Sequence, residues 1–172
     1  MEPSNPAHYP EAFEQAGWSV IGRYASAEGP LPESITADVS PPGFRLEPFD
    51  LARAEAELEA LHRVSLAAFT RGLLYQPLSL DAFMAQYRPV LARLDPDLVV
   101  MARDETGTTQ GFLFAIPDLA DPSPDRAVIL KTYASLKPGL GSSLARRFYG
   151  RAATKGYRCL LYTSPSPRDK RQ

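Results

Sequence analysis

A chain of 172 residues, 44% hydrophobic and 23% charged, has the composition of one globular domain and is long enough to bury a core. Its longest aliphatic run, residues 98–102, is far below the roughly 20 apolar residues of a membrane helix, and residues 1–6 lack both the basic start and the apolar stretch of a secretory leader, so a cytoplasmic protein with no membrane partner is expected. The net charge of −1 hides a division: residues 1–126 carry −10, residues 127–172 carry +9, and no carboxylate interrupts 127–158, which makes a local anion site plausible.

In chain order, residues 9–16 read as a short helix with Pro10 in its first turn, closed by Gly17. Residues 18–24 are mostly strand formers, and 28–43, with four prolines, read as a linker. Residues 44–48 alternate like a strand. Asp50 then supplies an N-cap for a long amphipathic helix that places Leu51, Ala54, Leu58, Leu61 and Ser65 or Ala68 near one face. A second helix after Ser79 runs through Phe83, Tyr87 and Leu91, with Pro89 expected to kink or shorten it. Residues 98–103 and 111–116, separated by a turn at Gly107, predict a hairpin. A polar connection over 117–125 leads to a strand at 127–136, a glycine-bearing turn, and a helix with Leu144, Phe148 and Ala152 buried and Arg146, Arg147 and Arg151 off that face. Gly156 is its natural stop. The order predicts a mixed α/β (α+β) layer.

The chemistry-bearing feature is a strand running into Lys137-Pro138-Gly139-Leu140-Gly141-Ser142-Ser143 and then a basic helix. Glycines permit a tight turn and close approach, and the unpaired N–H groups of a helix start attract phosphate; a purely structural turn uses the same residues. No Gly-Lys-Ser/Thr follows, which excludes a nucleoside triphosphate loop. No third glycine stands at the dinucleotide spacing, and no parallel βαβ unit is expected around it.

Over residues 44–158 the elements resemble the GNAT superfamily of acyl-CoA-dependent N-acyltransferases, whose fourth strand enters a loop of pattern Gln/Arg-x-x-Gly-x-Gly/Ala. Residues 128–136 correspond to that strand, Gly139 and Gly141 to the motif glycines, and residues 143–155 to the third helix. Arg103-Asp104 followed by Gln110-Gly111-Phe112-Leu113-Phe114 is similar to the second and third strands. The resemblance implies a mostly antiparallel central sheet flanked by helices, incomplete at the C-terminus, and transfer of an acetyl or other acyl group from acyl-CoA, the cosubstrate, to a primary amine of a small molecule or peptide. It implies pyrophosphate on the amides of Leu140, Gly141, Ser142, Ser143 and Leu144, and pantetheine along Ala134, Ser135 and Leu136. Leu136 stands where the superfamily has Gln or Arg, and the strand-to-glycine connection is shorter than the superfamily's; Lys137 is the candidate substitute. The alternative is a noncatalytic GNAT-like module that binds CoA or a partner half.

Residues 5–18 are similar to the last helix and strand entry of a GNAT fold, so residues 1–27 read as the end of an upstream half or as a segment that packs against the second half, with a second GNAT-like half or a homodimer as the implied partner. Phe13 occupies the place of a thiolate-protonating tyrosine. Residues 159–169 resemble one translated frame of a sequencing adapter, so 159–172 is expected to be non-native and the parent protein to continue past Arg158 differently; a genuine Pro/Ser tail is the other reading. Cys159, the sole cysteine, falls in that segment, so the part read as native is expected to hold no disulfide, no thiolate nucleophile and no cysteine-based zinc site, and no metal is expected. His8 and His62 make no ligand set, Tyr133 reads as packing, and no catalytic residue is assigned. Nucleic acid is not an expected partner, because residues 1–126 are acidic and no aromatic-basic stripe accompanies the basic helix.

Overall fold

The computed structural model describes residues 5–32, 40–70, 72, 75–119 and 126–165. Six strands, β1 (Tyr24–Pro30), β2 (Phe44–Pro48), β3 (Val99–Asp104), β4 (Thr109–Pro117), β5 (Ala127–Ser135) and β6 (Cys159–Pro165), form one sheet in the order β1-β6-β5-β4-β3-β2. Only β5 and β6 are parallel; the other neighbours are antiparallel. Four α-helices accompany them: α1 (Tyr9–Gln15), α2 (Ala54–Phe69), α3 (Leu80–Leu91) and α4 (Leu140–Thr154).

The core has two layers because the central strands are apolar on both faces. Along β3, Val99 and Met101 point toward α2 and α3, where Leu58, Leu61, Val64, Phe83 and Met84 meet them. Val100 and Ala102 point the other way, toward Leu144, Phe148 and Ala152 of α4. Residues 99–102 of the uninterrupted run are thus a two-sided strand between helical layers, and Leu98 ends the 3-10 turn before it.

Asp50 acts as the cap the sequence reading expected, and Ser79 caps the helix expected to follow it. Asp50 accepts from the Ala52 N–H at 2.9 Å, and Ser79 from the Ala82 N–H at 3.2 Å. Residues 51–53 form a 3-10 turn before α2 proper, and Leu51 is exposed instead of joining the helix's buried face. Pro89 leaves α3 intact to Leu91, because both Pro89 and Ala85, whose carbonyl it deprives of a partner, lie on the exposed side.

Two expectations change, and part of the segment read as non-native takes a place in the sheet. The strand-type segment 18–24 is unpaired before Tyr24, and β1 lies at Tyr24–Pro30, so the proposed linker begins inside a strand; residues 33–39 lie outside the described residues. Pairing, not pattern, creates β1: it is exposed nearly throughout and is held by the register from Tyr24↔Pro165 to Pro30↔Cys159. Residues 159–165, within the segment read as non-native, form that neighbouring strand, with Leu160 buried in the α4 layer; residues 166–172 lie outside the described residues. Finally, β5-α4-β6 is a parallel βαβ unit, which the sequence reading did not expect. No residue of α1 is buried, and the Tyr9 ring meets those of His8 and Phe13 edge to edge.

A charged cluster locks α2 onto the sheet. Glu57, 2% exposed, accepts from Arg103 of β3 and from Arg53 at 3.3 Å. Arg103 also reaches Glu47 of β2 at 3.2 Å and the Thr109 hydroxyl at 2.9 Å, while Arg63 donates to the Thr109 carbonyl at 2.6 Å. Burial pushes the Glu57 carboxyl above its ordinary range, against the downward pull of Arg103 and Arg53.

Candidate functional site

The site begins where β5 and β6 part. They pair from Ala127↔Cys159 to Leu130↔Tyr162 and no further. At that point the β4–β5 register shifts, with Phe114 opposite Thr132 and Ala115 opposite Leu130, so Lys131 is the extra residue of a bulge. A bulge bends its strand and sharpens its twist. Beyond it, β5 keeps only β4 as a neighbour, whereas β6 continues along β1. The sheet is therefore split, and the split opens toward the start of α4.

The connection from β5 to α4 is tied down by its own polar groups. The Ser135 hydroxyl donates to the Lys137 carbonyl at 2.7 Å and accepts from the Lys137 N–H at 3.3 Å. The Leu136 N–H is spent on the Gln110 carbonyl at 2.8 Å, and the Leu140 N–H faces the Lys137 carbonyl at 3.4 Å. Gly139, at φ 78°, is the N-cap of α4 in the left-handed region, and no side chain caps the helix. The Ser142 hydroxyl turns back to donate to the Gly139 carbonyl at 2.8 Å. The Gly141 and Ser142 N–H groups consequently have no partner among the described residues, and no acid stands in the first turn of α4. Those two donors, plus the helix dipole, form an anion-attracting end.

Of the residues singled out from sequence, Ser135, Leu136, Lys137, Gly139, Leu140, Gly141, Ser142 and Ser143 lie together at this turn, but they contribute differently. Leu140 sends its side chain into the core and offers only backbone; Ala134 is likewise buried, on the α2 side. The Leu144 amide belongs to the helix ladder. Lys137 is exposed at the turn. Gly111 of β4 sets how closely α4 approaches: a Cβ there would lie 2.9 Å from the Ala134 carbonyl oxygen and 3.2 Å from methyls of Leu140 and Leu144.

Alongside the split lies an open cleft. Leu130, Lys131, Thr132 and Tyr133 of β5 form one wall, with Tyr162 and Thr163 of β6 beside them; His62, Ser65 and Phe69 of α2, the 75–78 segment, and Phe83 and Tyr87 of α3 face them. No carboxylate among the described residues lines it. His62 donates from Nε2 to the Leu78 carbonyl at 2.8 Å, and its ring packs 5.1 Å from that of Phe83. Because a carbonyl only accepts, Nδ1 of the neutral ring is left as the acceptor. Tyr133, read from sequence as packing, is 54% exposed here. The Tyr149 phenol of α4 is pushed up by burial first and by the nearby Tyr133 and Tyr162 oxygens second, so it remains a neutral O–H. The sequence reading gave His62 no ligand or base role and passed over Tyr75, Tyr87 and Tyr162, because they sit on separate elements with no shared spacing.

No helix among the described residues is long and apolar enough to cross a membrane, and no group of three or more His, Cys, Asp or Glu among them is placed to hold a metal ion. No family model and no curated protein matches the chain. Solved structures do. A GCN5-related N-acetyltransferase from Sphaerobacter thermophilus matches 91% of this chain at TM-score 0.67 and 17% identity, and this chain covers 47% of it. A tandem GNAT protein from the clavulanic acid biosynthesis pathway matches 96% at TM-score 0.64 and 16% identity, with 53% of that chain covered. Saccharomyces cerevisiae N-myristoyltransferase with bound myristoyl-CoA matches 82% at TM-score 0.57 and 16% identity, with 36% covered. The chain thus spans about half the length of the first two and about a third of the last. At these identities the likeness is one of fold, and the fold of this chain, a split, mostly antiparallel sheet between helical layers, is GNAT-like.

Proposed function

We propose that this chain carries the acyl-CoA-binding half-site of an N-acyltransferase, passing an acetyl or related acyl group to a primary amine. The observation that carries the reading is the uncapped start of α4, with its free Gly141 and Ser142 amides, at the mouth of the β5/β6 split. A pyrophosphate is the group such an end accepts. Lys137 adds a cation at the same turn, and the edge of β5 beyond Leu130 offers backbone to an extended, amide-bearing arm. The reading's candidate cosubstrate contacts are therefore Ala134, Ser135, Leu136, Lys137, Gly139, Leu140, Gly141, Ser142 and Ser143, with Leu140 and Leu136 acting through their backbones alone.

The reaction forms a C–N bond as the thioester C–S bond breaks; the ammonium must lose a proton and the departing thiolate gain one. The cleft holds groups suited to removing the ammonium proton, namely His62, with Nδ1 as acceptor, and the Ser65 and Thr132 hydroxyls as stations for water. Tyrosine hydroxyls at 75, 87, 133 and 162 supply O–H donors, and the absence of carboxylates among the described lining residues leaves no counter-charge to trap an ammonium in its protonated form. The rest of the contribution is placement of amine and thioester side by side. The acceptor is read as a small-molecule or peptide amine.

Ser142→Glu separates this reading from a merely structural turn. Ser142 is exposed, and a carboxylate in the first turn of a helix stabilises it by about 0.3–1 kcal/mol. The same charge repels a pyrophosphate. The expected outcome is a raised midpoint in urea together with a loss of CoA affinity in calorimetric titration. A variant that gains stability and binds CoA as tightly as the parent chain refutes the assignment of the phosphate to this turn, and a parent chain that binds no CoA refutes the function.

A further inference from the structure

Half of the large hydrophobic side chains that stand exposed among the described residues fall within residues 9–24: Tyr9, Phe13, Trp18, Val20, Ile21 and Tyr24, each between 42% and 70% exposed. Along α1, Tyr9, Ala12, Phe13 and Ala16 recur at helical spacing on one side, and Glu11 and Glu14 lie on the other. Scattered apolar residues are ordinary on a surface, whereas a cluster this dense marks an interaction site. The arm leads straight into β1, the last strand at that end of the sheet. Edge strands are ordinarily guarded by short length, charge, proline or a bulge. β2, at the opposite edge, is guarded: its five residues carry the Arg45–Glu47 ion pair and end on Pro48. β1 has seven residues, one charge at Glu28, an unbroken register along β6 and proline only as its final residue.

We infer that this arm and the outer edge of β1 form one docking surface whose occupant is a second copy of this chain. Two copies related by a two-fold axis present the same patch to each other, and their edge strands then run antiparallel. Centred on Ala27, that pairing sets Glu28 opposite Ser26 of the second copy instead of its own image, and Tyr24 opposite Pro30, where a missing N–H falls at the end of the ladder. Each arm therefore leaves β1 beside the far end of the other copy's β1, and residues 18–23 span up to about 20 Å beyond it. That end is basic: Pro30 pairs with Cys159, the Leu31 N–H donates to the Arg158 carbonyl, and the Arg126 and Arg158 side chains are exposed there. The acidic helix α1 of one copy thus meets the carboxylate-free segment of the other, which is where the division of charge along the chain becomes complementary. The area suffices as well. The four exposed rings offer roughly 450 Å² per copy, and two arms with the surface they cover reach the roughly 1,200–2,000 Å² of a stable interface. A lipid surface suits this arm less, because helices that lie on membranes carry Lys and Arg where α1 carries Glu11 and Glu14.

Trp18 is the sole tryptophan, so its emission reports on the arm directly. Analytical ultracentrifugation of the whole chain, at concentrations up to about 100 μM, should show a dimer, with Trp18 emission to the blue of a solvated indole and moving red wherever dilution dissociates it. Phe13→Glu with Ile21→Glu, both at exposed positions, should leave the circular dichroism of the chain unchanged and weaken the dimer on the order of 100-fold or more, the worth of two buried apolar side chains. Glu11→Arg with Glu14→Arg should weaken it too, and Arg158→Glu added to that pair should recover part of the loss. A monomer at every concentration overturns the inference, whether its Trp18 emission is that of a solvated indole, is blue at all dilutions because the arm folds onto its own chain, or turns blue only with vesicles of phosphatidylcholine and phosphatidylserine because lipid covers it. A dimer of undiminished affinity in the Phe13→Glu, Ile21→Glu variant overturns the surface. Reversed arm charges without effect, or without recovery on adding Arg158→Glu, overturn the antiparallel arrangement of the two copies.

Discussion

Gly111 is the position where one added methyl group should disturb both stability and the candidate phosphate site. A Cβ there would sit 2.9 Å from the Ala134 carbonyl oxygen and 3.2 Å from the nearest methyls of Leu140 and Leu144. Carbon–carbon contacts are favourable at roughly 3.5–4.0 Å, so the neighbours must retreat by about half an ångström. The leucine side chains can yield by rotation, but the carbonyl belongs to the β5 backbone. Overpacking of this kind costs ~1–3 kcal/mol, and the lower chain entropy of unfolded alanine returns ~0.4–1 kcal/mol. Gly111→Ala should therefore destabilise the chain by ~1–2 kcal/mol, a fall in Tm of roughly 2–8 °C for a domain this size. Leu140 is the first residue of α4, so relief by moving the helix carries the Gly141 and Ser142 amides with it. Losing one charge-assisted hydrogen bond is worth ~1.5–3 kcal/mol, which is about a 10- to 150-fold loss of CoA affinity. Urea unfolding followed by circular dichroism gives the first number, and calorimetric titration with CoA the second. An alanine variant within ~0.5 kcal/mol of the parent, the scatter of ordinary surface substitutions, would refute the claim that β4 and α4 are in hard contact. A destabilised variant with undiminished CoA affinity would refute the mechanical link between that contact and the α4 amides.

Gly139→Ala tests the left-handed cap: nothing lies within 4 Å of the added carbon, so the cost is conformational alone, ~1–2 kcal/mol in urea unfolding. Gly139→Asn should recover much of that, and equal losses for both would mean that φ is not the constraint. Glu57→Ala leaves the buried Arg103 with only Glu47 and Thr109 and should cost ~3 kcal/mol, the low end for a broken buried pair, while Glu57→Leu with Arg103→Met should cost clearly less; additive losses in that double-mutant cycle would contradict the pairing. The same carboxyl gives a pH signature. Its pKa is raised above 4.5 in the folded chain, so folding favours its protonated form. The parent should lose stability relative to Glu57→Gln as pH rises from below 4.5 through the raised native value, with no further change above it. A difference that grows in the parent's favour over that window would show the opposite sign of shift.

The helices, the hairpin and β5 were legible because their signals are local. Asp50 and Ser79 are side-chain caps, Gly107 and Gly156 adopt positive φ, and residues 98–102 and 127–135 are dense in strand formers. The glycine-bearing turn was legible for the same reason, since only a residue without Cβ adopts φ 78° cheaply at Gly139. The tertiary structure decided what depends on a distant partner. β1 exists because β6 offers it an edge, not because residues 24–30 alternate, and the βαβ unit follows from β6 lying beside β5. The split in the sheet comes from a single unpaired residue, Lys131, which no pattern in one strand can reveal because a bulge is a property of two strands in register. The cleft gathers His62, Tyr75, Tyr87, Tyr133 and Tyr162 from five segments, and Glu57, charged and on a surface-type helix, is buried only because Arg103 comes to meet it across the sheet. Sequence by itself determined the helices, the hairpin, β5 and the glycine-bearing turn that leads into α4. Packing determined what opens beside that end, because a cavity is the space that several elements jointly fail to fill.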